Sequence, residues 1–166
     1  KTIFNLLGPH TNPCNAKRQI LGVYDKGLLK TFGNVSNLLK MHHVLVVHGN
    51  DGLDEISITD KTFVTELKDG NLNQFEIQPE DFGLSRANIT ALKAETPEES
   101  LELINAAFEG KESPVQDMIS LNAGASLYLS SVSNSIKDGV SLAKELLNNG
   151  KAKQTFSSYI EMTNSL

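Results

Sequence analysis

Four consecutive β-formers, Val44-Leu45-Val46-Val47, stop at His48-Gly49 and run straight into Asn50-Asp51-Gly52-Leu53-Asp54-Glu55, a loop carrying three carboxylates. An unbroken apolar run of this kind reads as a strand buried on both faces, as in parallel sheets flanked by helices. In open α/β sheets, ligands bind just outside the carboxyl ends of such strands. Acids at that place do not serve packing, because burying an unpaired charge costs too much. A hard cation, usually magnesium, is what such a loop collects.

With 166 residues, the chain is long enough for one domain with its own core. Hydrophobic residues make up 39% and charged ones 21%, ordinary values for a globular protein, and no apolar run is long enough to span a bilayer. A net charge of −5 argues against a nucleic-acid partner, which would need clustered Lys and Arg. The single Cys14 excludes an internal disulfide and a cysteine-built zinc site, and fits a reducing cytoplasm. The chain opens Lys1-Thr2-Ile3-Phe4-Asn5, with neither methionine nor signal peptide, so a piece of a longer protein is expected.

Residues 2–7 are apolar and strand-like, ending at Gly8-Pro9, and residues 8–18 form a loop dense in turn chemistry. Ile20–Val23 is a short strand candidate, and Leu28, Leu29, Phe32, Val35, Leu38 and Leu39 repeat at helical spacing. Residues 20–47 therefore read as a strand–helix–strand crossover. Ile56-Ser57-Ile58 and residues 62–67 alternate, and Asp69-Gly70 turns the chain into residues 72–77, predicting a hairpin. Residues 79–83 look like one helical turn. Thr96-Pro97-Glu98-Glu99 and Ser113-Pro114 are helix starts, and Gly110 and Gly150 are stops. Helices are expected to about Glu109, to about Ser130, near 134–149 and near 151–162. The whole predicts a single α/β domain over 1–166: a mostly parallel sheet with flanking helices, a small antiparallel hairpin excursion and a helical carboxyl-terminal tail.

Asp54 and Glu55 are the candidate metal ligands. Neighbouring side chains on extended backbone point apart, so a curved loop or a water-mediated contact is the expected geometry. Magnesium tolerates this, since it keeps several waters and borrows phosphate oxygens from its substrate; a solvated acidic turn is the plainer alternative. In the Gly8–Asn15 loop, exposed amides beside Thr11 and Asn12 could meet a polar ligand, although a rigid turn is the default. His10, His42, His43 and His48 show no metal spacing. His42 and His43 are expected to be solvated, and His48 to brace the acidic loop. Ser120, Asn122 and Ser126 are expected to satisfy local backbone or neighbouring helices. No nucleophile elbow, G-x-G-x-x-G, lysine-bearing phosphate loop or arginine cluster is present.

Thr2-Ile3-Phe4-Asn5-Leu6-Leu7-Gly8-Pro9-His10-Thr11-Asn12-Pro13, Gln19-Ile20-Leu21-Gly22-Val23, Val46-Val47-His48-Gly49-Asn50-Asp51-Gly52-Leu53-Asp54-Glu55 and Leu121-Asn122-Ala123-Gly124-Ala125-Ser126-Leu127-Tyr128 together resemble the anthranilate phosphoribosyltransferase family. The four segments match in order and spacing. They cover this chain but only about the carboxyl-terminal half of the family's length. The resemblance implies part of the large domain of a nucleoside-phosphorylase/phosphoribosyltransferase-like fold. It also implies a magnesium-dependent glycosyltransferase of tryptophan biosynthesis, in which anthranilate displaces pyrophosphate from phosphoribosyl pyrophosphate. By the same resemblance Asp54 and Glu55 hold Mg2+ on the pyrophosphate, Gly8 lines the aromatic-substrate tunnel, and the full-length protein is a homodimer. His10 stands where the family has leucine and Cys14 where it has a small residue, and either could alter that tunnel. The family's helical domain, phosphate-binding loop and anthranilate-binding arginine lie upstream of Lys1, so the chain alone is expected to be inactive. A related phosphoribosyltransferase or nucleoside phosphorylase, and a non-catalytic binding module that kept the fold, remain as alternatives.

Overall fold

In the computed structural model, residues 8–165 are described; the strand-like segment 2–7 lies outside them. Strand β1 (Arg18–Gly22) leads through helix α1 (Leu28–Leu38) to strand β2 (His43–Gly49). β1 and β2 pair in parallel, as the strand–helix–strand spacing predicts. Strands β3 (Thr62–Lys68) and β4 (Asn71–Ile77) follow, giving a four-stranded sheet among the described residues in the order β1-β2-β3-β4. The hairpin turn takes φ 49° at Asp69 and 82° at Gly70, a conformation that matches the twist of antiparallel neighbours.

The α/β class is as expected, but among the described strands the sheet is mixed rather than mostly parallel. Both β2–β3 and β3–β4 are antiparallel, so the hairpin forms half of the described strands instead of an excursion. β3 takes the free edge of β2 and makes it an interior strand. Ile56-Ser57-Ile58, whose alternation suggests a strand, is an irregular buried segment, with no residue more than 1% exposed. In place of a strand ladder, Ser57 N–H donates to the Thr62 side-chain Oγ1 at 2.9 Å, and Ile58 O accepts from Ala87 N–H at 3.1 Å.

Val44, Leu45, Val46 and Val47 are all 0% exposed, and alternation divides them between two cores. Val44 and Val46 join Leu29, Phe32 and Leu67 beneath α1. Leu45 and Val47 join Leu121, Ala125 and Val140 on the opposite face. A strand read as doubly buried is doubly buried. β4 closes the sheet with the mostly exposed Asn71, Asn73, Gln74 and Glu76, a polar edge that discourages further strand pairing.

Among the described residues four α-helices follow: α2 (Pro97–Phe108), α3 (Pro114–Leu129), α4 (Ile136–Asn148) and α5 (Lys151–Asn164). Thr96 and Ser113 cap α2 and α3 by accepting N–H bonds from Glu99 and Gln116, as their sequence signatures predict. α3 crosses the second face of the sheet. Arg18 of β1 fastens its far end, donating from Nη1 to Leu129 O at 2.6 Å.

His43 departs from expectation. It lies within β2, is 3% exposed, and bonds through Nε2 to Glu66 Oε1 at 2.8 Å. Tyr128 of α3 also donates to that carboxylate oxygen at 2.9 Å and packs edge-on against the His43 ring. The neighbouring His42 is exposed, as expected.

Candidate functional site

The acidic loop leaves the end of β2 and folds back on it at once. Gly49 N–H donates to Leu53 O at 2.8 Å, and Gly52 N–H to Gly49 O at 2.9 Å. Gly52 adopts φ +92°, which a side chain would resist. Asn50 anchors the outer edge, its amide donating to Asp60 Oδ2 at 2.7 Å. Asp60 also receives Arg86 Nη1 at 2.9 Å, while Arg86 Nε holds Glu80 Oε1 at 2.9 Å. Donation from Asn50, ahead of the Lys61 N–H and Arg86, holds the Asp60 carboxyl below its ordinary range.

The three loop acids do not share one role. Asp51 is committed to the loop itself, accepting from Ser57 Oγ at 2.5 Å, from Thr59 Oγ1, and from Leu53 N–H at 3.1 Å. Partial burial pushes its carboxyl up, but these donors together outweigh that and leave it below its ordinary value. Asp54 and Glu55 are exposed, and neither forms a hydrogen bond or ion pair with any described residue. Both line a cleft of about 480 Å³, whose remaining wall includes Leu92, Leu103, Val115 and Met118.

The placement of this pair has causes on either side. The Asp54 main chain lies against the end of β1, where a Cβ added at Gly22 would stand 1.7 Å from Asp54 O. Only glycine permits that approach. Behind Glu55, Asn122 of α3 accepts from Ile56 N–H at 3.1 Å and donates from Nδ2 to Ile56 O at 2.9 Å. Ser120 and Ser126 bond to carbonyls of their own helix, as the sequence suggests, whereas Asn122 reaches the loop. His48 does not brace the acidic loop: its Nδ1–H donates to Val23 O at 2.7 Å, tying β2 to the chain just past β1.

The other sequence candidates lie apart from this cleft. Gly8 is exposed in a single helical turn, Gly8–His10, its carbonyl accepting from Thr11 N–H and Oγ1; it is not part of the cleft wall. His10 turns toward α1, bonding through Nε2 to Ser36 Oγ at 3.2 Å and tilting its ring against Phe32. Cys14 is exposed.

Two free carboxylates with no third protein ligand among the described residues suit magnesium better than a cation that needs an all-protein cage. Among the described residues, no group of three or more His, Cys, Asp or Glu side chains could enclose a metal. Such a pair offers hard oxygen ligands while leaving most of the coordination sphere to water and a phosphate-bearing ligand. Among the described residues, no helix is long and apolar enough to cross a membrane.

Comparison with known proteins agrees with this architecture. Residues 1–153 match the glycosyl transferase family, a/b domain, and the chain belongs to that family. Among its relatives, the anthranilate phosphoribosyltransferase of Methanobrevibacter smithii is 45% identical over 165 residues, covering 99% of this chain and 49% of that protein. The structure of anthranilate phosphoribosyltransferase from Thermus thermophilus superposes with a TM-score of 0.88 at 36% identity, covering 97% of this chain and 47% of that one. The Saccharomyces cerevisiae enzyme, solved in complex with PRPP and Mg, gives 0.87 at 29% identity, covering 100% and 48%. The resemblance read from the four sequence segments is thus borne out. The chain spans about half the length of the relatives it matches.

Proposed function

We propose that these residues form one α/β domain, the carboxyl-terminal half of an anthranilate phosphoribosyltransferase, and that Asp54 and Glu55 are its metal ligands. In the complete protein the amine nitrogen of anthranilate forms a bond to C1′ of phosphoribosyl pyrophosphate as the bond from C1′ to the pyrophosphate oxygen breaks. Positive charge develops on the ribose and negative charge on the departing diphosphate. Asp54 and Glu55 would hold magnesium, which would supply the charge that compensates the departing diphosphate. Asp54 and Glu55 orient the leaving group, the loop behind them keeps that orientation fixed, and positioning carries much of the remaining barrier reduction. An aryl amine is weakly basic and needs little prior deprotonation. Gly8, on the loop before β1, is assigned to the acceptor's side of the site.

One observation carries this reading: of three acids on one loop, Asp51 is spent on structure, while Asp54 and Glu55 are left unpaired on a cleft wall beyond a buried strand. The 166 residues alone are expected to be inactive, because their sequence holds no phosphate-cradling glycine loop. The homodimer is likewise assigned to the complete protein. Calorimetry of that protein with phosphoribosyl pyrophosphate, with and without magnesium, is the test. Asp54→Asn and Glu55→Gln should each remove most of the magnesium-dependent gain in affinity. An undiminished gain in both variants would rule out the metal role, and turnover by the isolated 166 residues would overturn the claim of inactivity.

A further inference from the structure

The carboxamide of Asn122 is fully committed to backbone groups. Oδ1 accepts from Ile56 N–H at 3.1 Å, and Nδ2 donates to Ile56 O at 2.9 Å and to Met118 O at 3.1 Å. Ile56 immediately follows Glu55 in the chain and is 1% exposed. It lies outside any strand, so no sheet neighbour satisfies its peptide groups, and leaving them unpaired in the interior would be costly. A helix residue 66 positions away supplies both bonds. The third bond, back to Met118 of the same helix, fixes the rotamer of the side chain that does so. Met118 also lines the cleft that holds Asp54 and Glu55. One turn of α3 therefore builds the cleft wall and grips the peptide beside the acid pair.

We infer that Asn122 is a positioning residue for the metal site: by holding both polar groups of Ile56, it fixes the direction in which Glu55 presents its carboxylate to the cleft. This rests on the reading of Asp54 and Glu55 as metal ligands. Gly22 and Asn122 then act on the residues flanking Glu55 in the chain, one admitting the Asp54 main chain against β1 and the other tethering Ile56 to α3. Partners that orient metal ligands typically change metal affinity by about 10–100-fold when removed.

The test uses the complete enzyme, with Mn2+ and inorganic pyrophosphate as the probe and bound metal counted by electron paramagnetic resonance. Asn122→Ala removes all three bonds. Asn122→Asp keeps the shape and the acceptor but sets a carboxylate oxygen against Ile56 O. Both variants should bind manganese at least about tenfold more weakly, and the KM for magnesium phosphoribosyl pyrophosphate should rise while that for anthranilate stays unchanged. The titration gives the number of sites separately from their affinity, so partial loss of folded protein does not obscure the result. Wild-type manganese affinity in both variants, alongside weakened binding in Asp54→Asn, would overturn the positioning role and leave the metal assignment standing. Wild-type affinity in Asp54→Asn and Glu55→Gln would overturn the metal assignment and this inference with it.

Discussion

Alanine at Gly22 would place a methyl group 1.7 Å from Asp54 O, 2.6 Å from its carbonyl carbon and 3.0 Å from its Cβ. Ordinary contact starts at 3.4 Å, so the Asp54 carbonyl would have to retreat by about 1.7 Å. Nothing nearby yields easily. Gly22 is paired with Val47 of the buried β2, and the loop is closed by the bond from Gly49 N–H to Leu53 O. The obstacle is main chain rather than the tip of a flexible side chain. Forcing an extra carbon into such a place costs about 1–3 kcal/mol, less than the roughly 5–15 kcal/mol by which a typical domain is stable. Folding should therefore survive while the acid pair moves. Misplacing a reacting arrangement by about 1 Å costs on the order of 100-fold in rate. The expected result for Gly22→Ala in the complete enzyme is a kcat/KM lower by on the order of 100-fold, with a melting midpoint lowered by only a few degrees. Steady-state kinetics and a thermal melt by circular dichroism measure the two. Wild-type activity and stability together would refute the claim that Asp54 is set by its contact with β1.

Asp51 links the loop to pH. Its carboxyl sits below the ordinary 3.8 in the folded state, so its stabilisation is fully present above that value and is lost as pH falls through the lower folded one. The stability gap between wild type and Asp51→Asn should thus hold steady at higher pH and narrow below 3.8; a gap unchanged through acid denaturation, followed by circular dichroism, would contradict it. Gly139→Ala would put a Cβ 2.2 Å from Gly124 O, where α4 crosses α3. It should cost about 1–3 kcal/mol in urea denaturation, and a neutral result would show that the helices separate freely. Ser113→Ala removes the cap on Gln116 N–H and should cost about 1 kcal/mol in the same assay, with no loss counting against the cap.

Local chemistry made much of this fold legible in the sequence. Val44–Val47 announced a doubly buried strand, Asp69-Gly70 a hairpin, and Thr96-Pro97 and Ser113-Pro114 their helices, because each signal is written within a few neighbouring residues. What escaped depends on residues far apart. Asp51 and Asp54 look alike in sequence, and only the return of Ser57 and Thr59 separates a structural acid from a free one. His43 reads as a loop residue until Glu66 and Tyr128 close around it. Ile56-Ser57-Ile58 alternates like a strand, yet Asn122, 66 residues on, takes the place of its missing neighbour. The mixed sheet escaped for a related reason: an Asp-Gly turn predicts a hairpin but not which existing edge the hairpin will join.

The position of the metal is the most direct measurement. Crystals of the complete protein grown with phosphoribosyl pyrophosphate and manganese would locate the ion by its anomalous scattering. The expected result is a peak bridging the diphosphate and the Asp54 and Glu55 carboxylates, directly or through one bound water. A metal held by the diphosphate and other residues, with both carboxylates turned to solvent, would contradict the assignment.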